Sequence, residues 1–271
     1  MSRWLVVLLS CLLVFGFTGL SLAQEVVDVQ GSTTVLPVMQ IVAEEFMAQN
    51  PEIEITVSGG GSGVGISALL DGVVPVAMSS RKIKPEEMET AQNLGLDIKE
   101  VPIALDAIAV VVNPANPLEE ISLELLRNIY TGEIKTWEEV GAHAGEIAVI
   151  SRDTASGTFE VFNEHVLQGT ELSPEALRLS SNRAVLEEVA RNPQAIGYIG
   201  LGYVSQSVKP VQLEGVFPSE ETAKSGEYLL SRTLYLYLAR EAEGSIAELV
   251  DFILSEEGQK IVEEAGFVSV N

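Results

Sequence analysis

The sequence predicts an α/β fold in which short strands alternate with helices. Apolar runs, several with period-two alternation, recur along the chain between stretches whose apolar residues have helical spacing. Gly/Ser/Thr-rich turns follow several of these runs. This order is typical of mostly parallel sheets with helices on both faces. Ligands bind such sheets beyond the carboxyl ends of the strands, so the turns there are the candidates for a functional site.

A first buried strand is predicted over residues 26–29, and Pro37 fits the first turn of the helix that follows. Asn50 precedes a proline, which ends that helix. The remaining strands are predicted over 53–57, 73–78, 108–112, 147–150, 195–203, 208–213 and 234–239, and the remaining helices over 63–70, 85–94, 122–130, 157–167, 183–191, 245–254 and 258–264.

Residues 1–23 have the composition of a secretory signal peptide. Arg3 gives a positive start, an almost wholly apolar stretch follows, and small residues at the expected cleavage positions end at Ala23. We therefore predict export across the inner membrane, with a mature chain that begins near Gln24 and works in the periplasm or at the cell surface. A retained membrane anchor is the alternative.

The composition limits the possible partners and chemistry. The chain carries 16 Lys+Arg against 39 Asp+Glu, a net charge of −23, and loss of Arg3 leaves about −24. This charge argues against nucleic acid as a partner. The only cysteine, Cys11, lies in the signal segment. His143 and His165 have neither metal-ligand nor catalytic-triad spacing, so no metal, cofactor or catalytic residue is expected.

Three turns between predicted strands and helices share glycine and hydroxyl residues. They are GSTT at 31–34, GGGSG at 59–63 and RDTASGT at 152–158. Backbone N–H groups and hydroxyls at helix N-termini bind small oxyanions without a metal. An arginine fork suits two oxygens of a tetrahedral anion. The sequence therefore predicts an anion site built from distant segments, with simple helix capping and surface ion pairing as the alternatives.

Six motifs occur in one order along the mature sequence: Gly31-Ser-Thr-Thr-Val35, Gly61-Ser-Gly-Val-Gly65, Ser79-Ser-Arg81, Ile129-Tyr-x-Gly-x-Ile-x-x-Trp137, Arg152-Asp-x-x-Ser-Gly-Thr-Phe159 and Ala195-Ile-Gly-Tyr198. In this order they resemble the phosphate-binding proteins of the phosphate-specific ABC import system, in the short-chain bacterial branch. The resemblance implies a two-lobe periplasmic-binding-protein type II fold, each lobe a mostly parallel sheet flanked by helices.

The resemblance also implies the domain organisation and the function. Lobe 1 would hold residues 24–107 plus 210–271, and lobe 2 would hold 108–209. By composition, the Asn/Pro-rich segment 113–117 is the best candidate for a crossover connection. The implied function is a monomeric, non-enzymatic receptor that captures inorganic phosphate between the lobes and delivers it to the membrane permease subunits of an ABC transporter.

The implied phosphate ligands include Arg81 and Asp106. Arg81 stands where longer relatives carry an aspartate that accepts the phosphate proton. Asp106 is the expected replacement, because a buried carboxylate accepts a hydrogen bond from P–OH but repels a fully ionised anion. A solvated loop charge is the alternative role of Arg81, and a hinge turn or cap that of Asp106. The other implied ligands are Ser32, Thr33, Thr34, Ser62, Gly63, Arg152, Ser156, Gly157 and Thr158.

Alternative functions remain open at this point. A receptor for sulfate, molybdate or a phosphonate would use the same kind of site. A phosphate sensor without transport would use the same fold. A secreted phosphatase is weakly supported, since the sequence offers neither metal ligands nor an activated nucleophile.

Overall fold

The computed structural model describes residues 24–142 and 144–271, so the predicted signal segment 1–23 and His143 lie outside the described residues. Within those two ranges, no helix combines the length and the apolar character that a membrane crossing requires.

Strands and helices alternate as the sequence predicts. The strands are β1 (Glu25–Gly31), β2 (Ile53–Ser58), β3 (Val76–Ser79), β4 (Lys99–Val112), β5 (Glu120–Ile121), β6 (Ala148–Arg152), β7 (Leu177–Leu179), β8 (Ala195–Gly200), β9 (Lys209–Pro210), β10 (Gln212–Leu213) and β11 (Ser231–Leu238). The helices are α1 (Leu36–Gln49), α2 (Ser62–Leu70), α3 (Pro85–Asn93), α4 (Leu123–Thr131), α5 (Gly157–Phe162), α6 (Asn182–Arg191), α7 (Glu220–Ser225), α8 (Ser245–Leu254) and α9 (Glu256–Glu264).

Most strands form one mixed sheet, in the order β2-β1-β3-β11-β4-β8-β6-β7, with β9 also paired to β4. The outer strands of each half pair in parallel, which agrees with the predicted α/β class. The central strands β11 and β4 are antiparallel to each other and to the strands beside them. The sheet is mixed because these two central strands cross between its halves.

Each half of the sheet has its own hydrophobic core. In the first half, α1, α8 and α9 pack on one face of β1, β3 and β11, while α2 packs on the other face. In the second half, α4, α5 and α7 cover one face of β4 and β8, and α6 covers the other. We call the half around the first core lobe 1 and the half around the second core lobe 2.

The chain passes between the lobes inside β4. Its first part pairs with β11 up to Ala107, and its last part pairs with β8 from Ile108 onward. The predicted crossover at 113–117 is wrong, because Asn113 Nδ2 donates to the carbonyl oxygens of Val189 and Ala190 within lobe 2, at 3.0 and 2.8 Å.

The return to lobe 1 also lies in a strand. Val211, Leu213, Tyr228 and Leu230 are buried in the core of lobe 2, although the predicted boundary placed residues after 209 in lobe 1. We therefore propose that the return boundary lies at Ser231, where β11 begins.

Several elements differ from the predictions. Strand β4 begins at Lys99 rather than 108, and it accommodates Pro102 where the register with β11 shifts. The predicted helix 157–167 is α-helical only to Phe162, and a π-helical turn, Asn163–Leu167, continues it. Helix α7 has no counterpart among the predicted elements.

Candidate anion site

The three predicted turns meet where the lobes touch. The first lies between β1 and α1, the second leads into α2, and the third lies between β6 and α5. The Gly63 N–H donates to the Ala155 carbonyl oxygen at 3.0 Å. The hydroxyl oxygens of Thr34 and Thr158 lie 3.1 Å apart. Segments from both lobes therefore form one buried polar cluster.

Asn182, at the start of α6, orients the hydroxyls of the first turn. Its side chain is fully buried. Its Oδ1 accepts a hydrogen bond from the Gly200 N–H at 3.1 Å, so its amide nitrogen faces the opposite way. Asn182 Nδ2 donates to Thr34 Oγ1 at 3.0 Å and to Thr33 Oγ1 at 3.3 Å. Both threonine oxygens thereby act as acceptors toward the protein.

Arg152, at the end of β6, is 1% exposed. Its Nε donates to the Leu179 carbonyl oxygen, and its Nη2 donates to the Ser180 carbonyl oxygen and to Thr33 Oγ1, at 3.1, 2.9 and 3.2 Å. Its Nη1 is buried and has no hydrogen-bond partner among the described residues. Burial lowers the pKa of Arg152 to about 10. The guanidinium therefore stays charged at neutral pH and keeps an unused donor.

A second buried arginine, Arg232 at the start of β11, faces Asp106 of β4. Arg232 Nε and Nη2 donate to Asp106 Oδ2 at 2.9 and 2.8 Å. Nη2 also donates to Thr34 Oγ1 at 3.2 Å. Nη1 donates to Thr158 Oγ1 at 3.1 Å and to the Ser80 carbonyl oxygen at 3.3 Å. Arg232 thus contacts both lobes at once.

Asp106 lies in the cluster, as the sequence predicts, but its partner is Arg232. Its other oxygen, Oδ1, accepts the Leu201 N–H at 2.9 Å. Burial raises the pKa of the Asp106 carboxyl, while the Arg232 guanidinium and the backbone N–H groups of Leu201 and Ala107 oppose that rise. The carboxylate is held by protein donors rather than left open toward a ligand.

Donors outnumber acceptors in the cluster. A hydroxyl oxygen has two lone pairs and one proton. Thr33 Oγ1 and Thr34 Oγ1 each accept two hydrogen bonds from arginine and amide donors. The Thr34 proton can be donated to Thr158 Oγ1. The protons of Thr33 and Thr158 then have no acceptor within the part of the chain that the structure describes, so the cluster suits an anion.

Two predicted serines serve the local backbone. Ser32 Oγ accepts the Thr34 N–H at 3.1 Å. Ser156 Oγ accepts the Phe159 N–H at 3.2 Å and caps α5. Ser156 is therefore a helix cap, whereas the Ser32 bond lies within the turn before α1, whose N-cap, Val35, has no side-chain cap hydrogen bond.

Ser62 and Gly157 meet across the lobe contact. Ser62 Oγ accepts the Ser80 N–H at 3.0 Å. A Cβ added at Gly157 would lie 2.3 Å from Ser62 Oγ and 2.7 Å from Ser80 Oγ. Such distances are shorter than real Cβ contacts. Gly157 therefore permits the close approach of the two lobes.

The Arg81 guanidinium, a predicted anion ligand, is bound by a carboxylate of its own lobe. Its Nη2 and Nη1 donate to Glu87 Oε1 and Oε2 at 2.7 and 2.8 Å. Nη1 also donates to the Lys82 carbonyl oxygen at 2.8 Å. A carboxylate only six residues away binds Nη1 and Nη2, while Nε is buried and has no hydrogen-bond partner among the described residues.

Sequence reasoning missed Arg232, Asn182 and Tyr203. Tyr203 donates its hydroxyl to the Thr33 carbonyl oxygen at 2.6 Å. One signal was available for Arg232: it shares its strand face with the buried residues Leu234 and Leu236. An arginine at a core-facing strand position requires a buried partner.

Comparison with known proteins gives consistent results. The family model described as PBP superfamily domain matches residues 20–257. The phosphate-binding protein PstS of Borreliella burgdorferi is 31% identical over 261 residues, covering 91% of each chain. PstS of Bacillus subtilis is 33% identical over 247 residues, covering 89% of this chain and 80% of the relative.

Two solved structures are similar over nearly the whole chain. A Clostridium perfringens protein assigned as a phosphate ABC transporter substrate-binding protein, solved with bound phosphate, has a TM-score of 0.86 and 35% identity, covering 91% of this chain and 100% of that chain. An ABC-type phosphate transport receptor from Vibrio cholerae has a TM-score of 0.74 and 33% identity, covering 89% of this chain and 99% of that chain.

Proposed function

The chain belongs to the PBP superfamily and, within it, to the phosphate-binding proteins of ABC transporters, and we propose that it captures inorganic phosphate between its lobes for delivery to a membrane permease. The family consists of substrate-binding transport proteins, not enzymes. The observation that carries the proposal is the surplus of buried donors, above all the unpartnered Nη1 of Arg152.

The charges of the cluster support an anionic ligand. Arg152 and Arg232 contribute two cations, and Asp106 contributes one carboxylate. This local excess of positive charge lies within a chain whose net charge is −23. Short-range hydrogen bonds and fixed dipoles therefore bind the ligand, because solvent and salt screen the long-range repulsion.

Closure of the lobes would couple ligand binding to transport. Thr34 and Thr158 belong to different lobes, and so do Gly63 and Ala155. A phosphate ion at this junction makes its full set of contacts only when the lobes are closed. Such a ligand shifts the population toward the closed form, which is the form that a permease would distinguish from the open one.

We place this function outside the cytoplasm. The composition of residues 1–23 supports export through a signal peptide. We further propose that the protein acts as a monomer, since each chain contains both halves of the site.

Titration calorimetry on protein purified after export and stripped of bound anion tests the proposal. We expect saturable phosphate binding, and about 100-fold weaker binding by Arg152→Gln, because the variant loses a charged donor with no replacement. Arg191→Gln removes the same charge from a side chain that is 75% exposed and should bind as the wild type does. No phosphate binding by folded wild-type protein, or equal affinity in Arg152→Gln, would contradict the proposal.

A further inference from the structure

We propose that Arg232 determines which anions the site admits and that Asp106 positions Arg232 instead of accepting a proton from the ligand. The inference rests on the proposed function and concerns the specificity of the same site. It replaces the role that the sequence suggested for Asp106.

Most of the hydrogen-bonding capacity of Asp106 is already used. A carboxylate offers about four acceptor positions. Arg232 Nε and Nη2 fill the two positions at Oδ2, and the Leu201 N–H fills one of the two at Oδ1. The Ala107 N–H also acts on the carboxylate, since it opposes the rise in the pKa of Asp106. The two bonds from Arg232 are charge-assisted, which makes them roughly twice as strong as neutral ones. A ligand P–OH would have to compete with these donors.

The buried Arg232 guanidinium requires a carboxylate that fixes its position. The guanidinium is almost fully buried, with only 4% of its side chain exposed, and Asp106 is the carboxylate that pairs with it. The pairing fixes the plane of the fork. Nη2 then points to Thr34 in lobe 1, and Nη1 points to Thr158 in lobe 2.

Arg232 sets the direction of the hydroxyl protons of Thr34 and Thr158. Because it donates to both Thr34 Oγ1 and Thr158 Oγ1, those oxygens act as acceptors toward it. At least one of the two hydroxyl protons is left for a ligand. The Ser80 carbonyl oxygen, the remaining acceptor beside the fork, also receives a bond from Arg232.

Among the described residues, the cluster presents buried hydroxyl and guanidinium donors, and Arg232 holds its carboxylate. Such a site selects the charge of the ligand, not its proton. We therefore expect dianionic phosphate to bind better than the monoanion, and sulfate to compete with phosphate for the site. This differs from selection by a proton acceptor, which repels a fully ionised anion.

The experiment compares Asp106→Asn, Arg232→Gln and the double variant by calorimetry with phosphate and, in competition, with sulfate at constant ionic strength. If Asp106 positions Arg232, Asp106→Asn weakens both anions by about the same factor, on the order of tenfold or more. The double variant should bind within about threefold of Arg232→Gln, because Asp106 acts through that residue. Asp251→Asn and Arg191→Gln, both exposed, are the matched controls and should leave both affinities unchanged.

Selective loss of phosphate with retained or improved sulfate binding in Asp106→Asn would overturn the inference, and so would additive effects in the double variant. Wild-type protein that binds neither anion would instead refute the proposed function. Circular dichroism and thermal unfolding identify any variant that does not fold. Arg232→Lys then serves as the second probe, because it keeps the charge and loses the fork: equal weakening of both anions supports the inference, and unchanged affinities contradict it.

Discussion

Two arginine–carboxylate pairs lie close to the lobe junction and differ in how far apart their partners are in sequence. Arg232 and Asp106 are 126 residues apart, on neighbouring strands β11 and β4. Arg81 and Glu87 are six residues apart, and Arg81 precedes helix α3 while Glu87 lies in its first turn. Both guanidinium groups are buried and donate two hydrogen bonds to one carboxylate.

The remaining bonds of each pair reveal different roles. Glu87 Oε2 also accepts the Lys84 N–H at 2.8 Å, so the local pair fixes the start of α3. Arg232 uses its other N–H groups on Thr34 and Thr158, which belong to different lobes. A similar ion pair therefore stabilises one helix terminus in the first case and connects the two lobes at the anion site in the second.

The largest expected difference between the two pairs is the loss of unfolding free energy when the carboxylate of each pair is removed. Asp106→Ala leaves a buried, uncompensated guanidinium, and we expect the free energy of unfolding to fall by about 3–5 kcal/mol. Glu87→Ala, whose carboxylate is 19% exposed, should lose about 1–2 kcal/mol. Chemical denaturation of both variants measures the difference. Equal losses would show that the two pairs are energetically alike.

Perturbing the lobe contact without touching either pair should have the next largest effect. In Gly157→Ala the new Cβ would lie 2.3 Å from Ser62 Oγ. The clash hinders closure, and we expect phosphate affinity to fall about 10- to 100-fold while folding is retained. At Gly63 the nearest atom is 3.4 Å from an added Cβ, so Gly63→Ala should bind nearly as the wild type does. Calorimetry comparing the two alanine variants tests this, and similar affinities would contradict it.

The local pair should show a defined pH dependence. Burial acts to raise the pKa of Glu87, but hydrogen bonds from Arg81 and the Lys84 N–H lower it below the ordinary 4.5. The ionised carboxylate therefore stabilises the fold above about pH 4.5, and this contribution disappears as the pH falls through the lowered pKa.

Glu87→Gln should cost about 1–2 kcal/mol of unfolding free energy at neutral pH and progressively less on acidification. Urea denaturation of both proteins across the acidic range measures the change. Glu89→Gln, at an exposed position of the same helix, is the control. A difference between Glu87→Gln and the wild type that grows on acidification would contradict the assigned sign.

The smallest expected effect concerns a partly exposed ion pair across the lobes. Lys84 Nζ lies 2.8 Å from Glu160 Oε1, and the two side chains are 33% and 26% exposed. Such pairs contribute below about 1 kcal/mol, so Lys84→Gln should speed phosphate release up to about fivefold and lose its effect at high salt. Stopped-flow dissociation measures the rate, with Lys135→Gln as the control within one lobe. A larger, salt-independent effect would place Lys84 among the main determinants of closure.

Local sequence patterns were sufficient to predict the alternating architecture and part of the site. Period-two and helical spacing identify strands and helices because each element buries one face. Polar turns at the carboxyl ends of parallel strands must meet at one edge of the sheet. For this reason Thr33, Thr34, Arg152 and Thr158 could be predicted, and they lie together in the structure.

The tertiary structure alone decided which partner each charge takes. Asp106 could be suspected of a role at the site, but its partner Arg232 is 126 residues away. Asn182 reaches Thr34 across 148 residues, and Arg81 pairs with a nearby glutamate. Spacing in the sequence carries no information on contacts between strands that become neighbours only when the sheet forms. The donor surplus that defines this site therefore results from the fold.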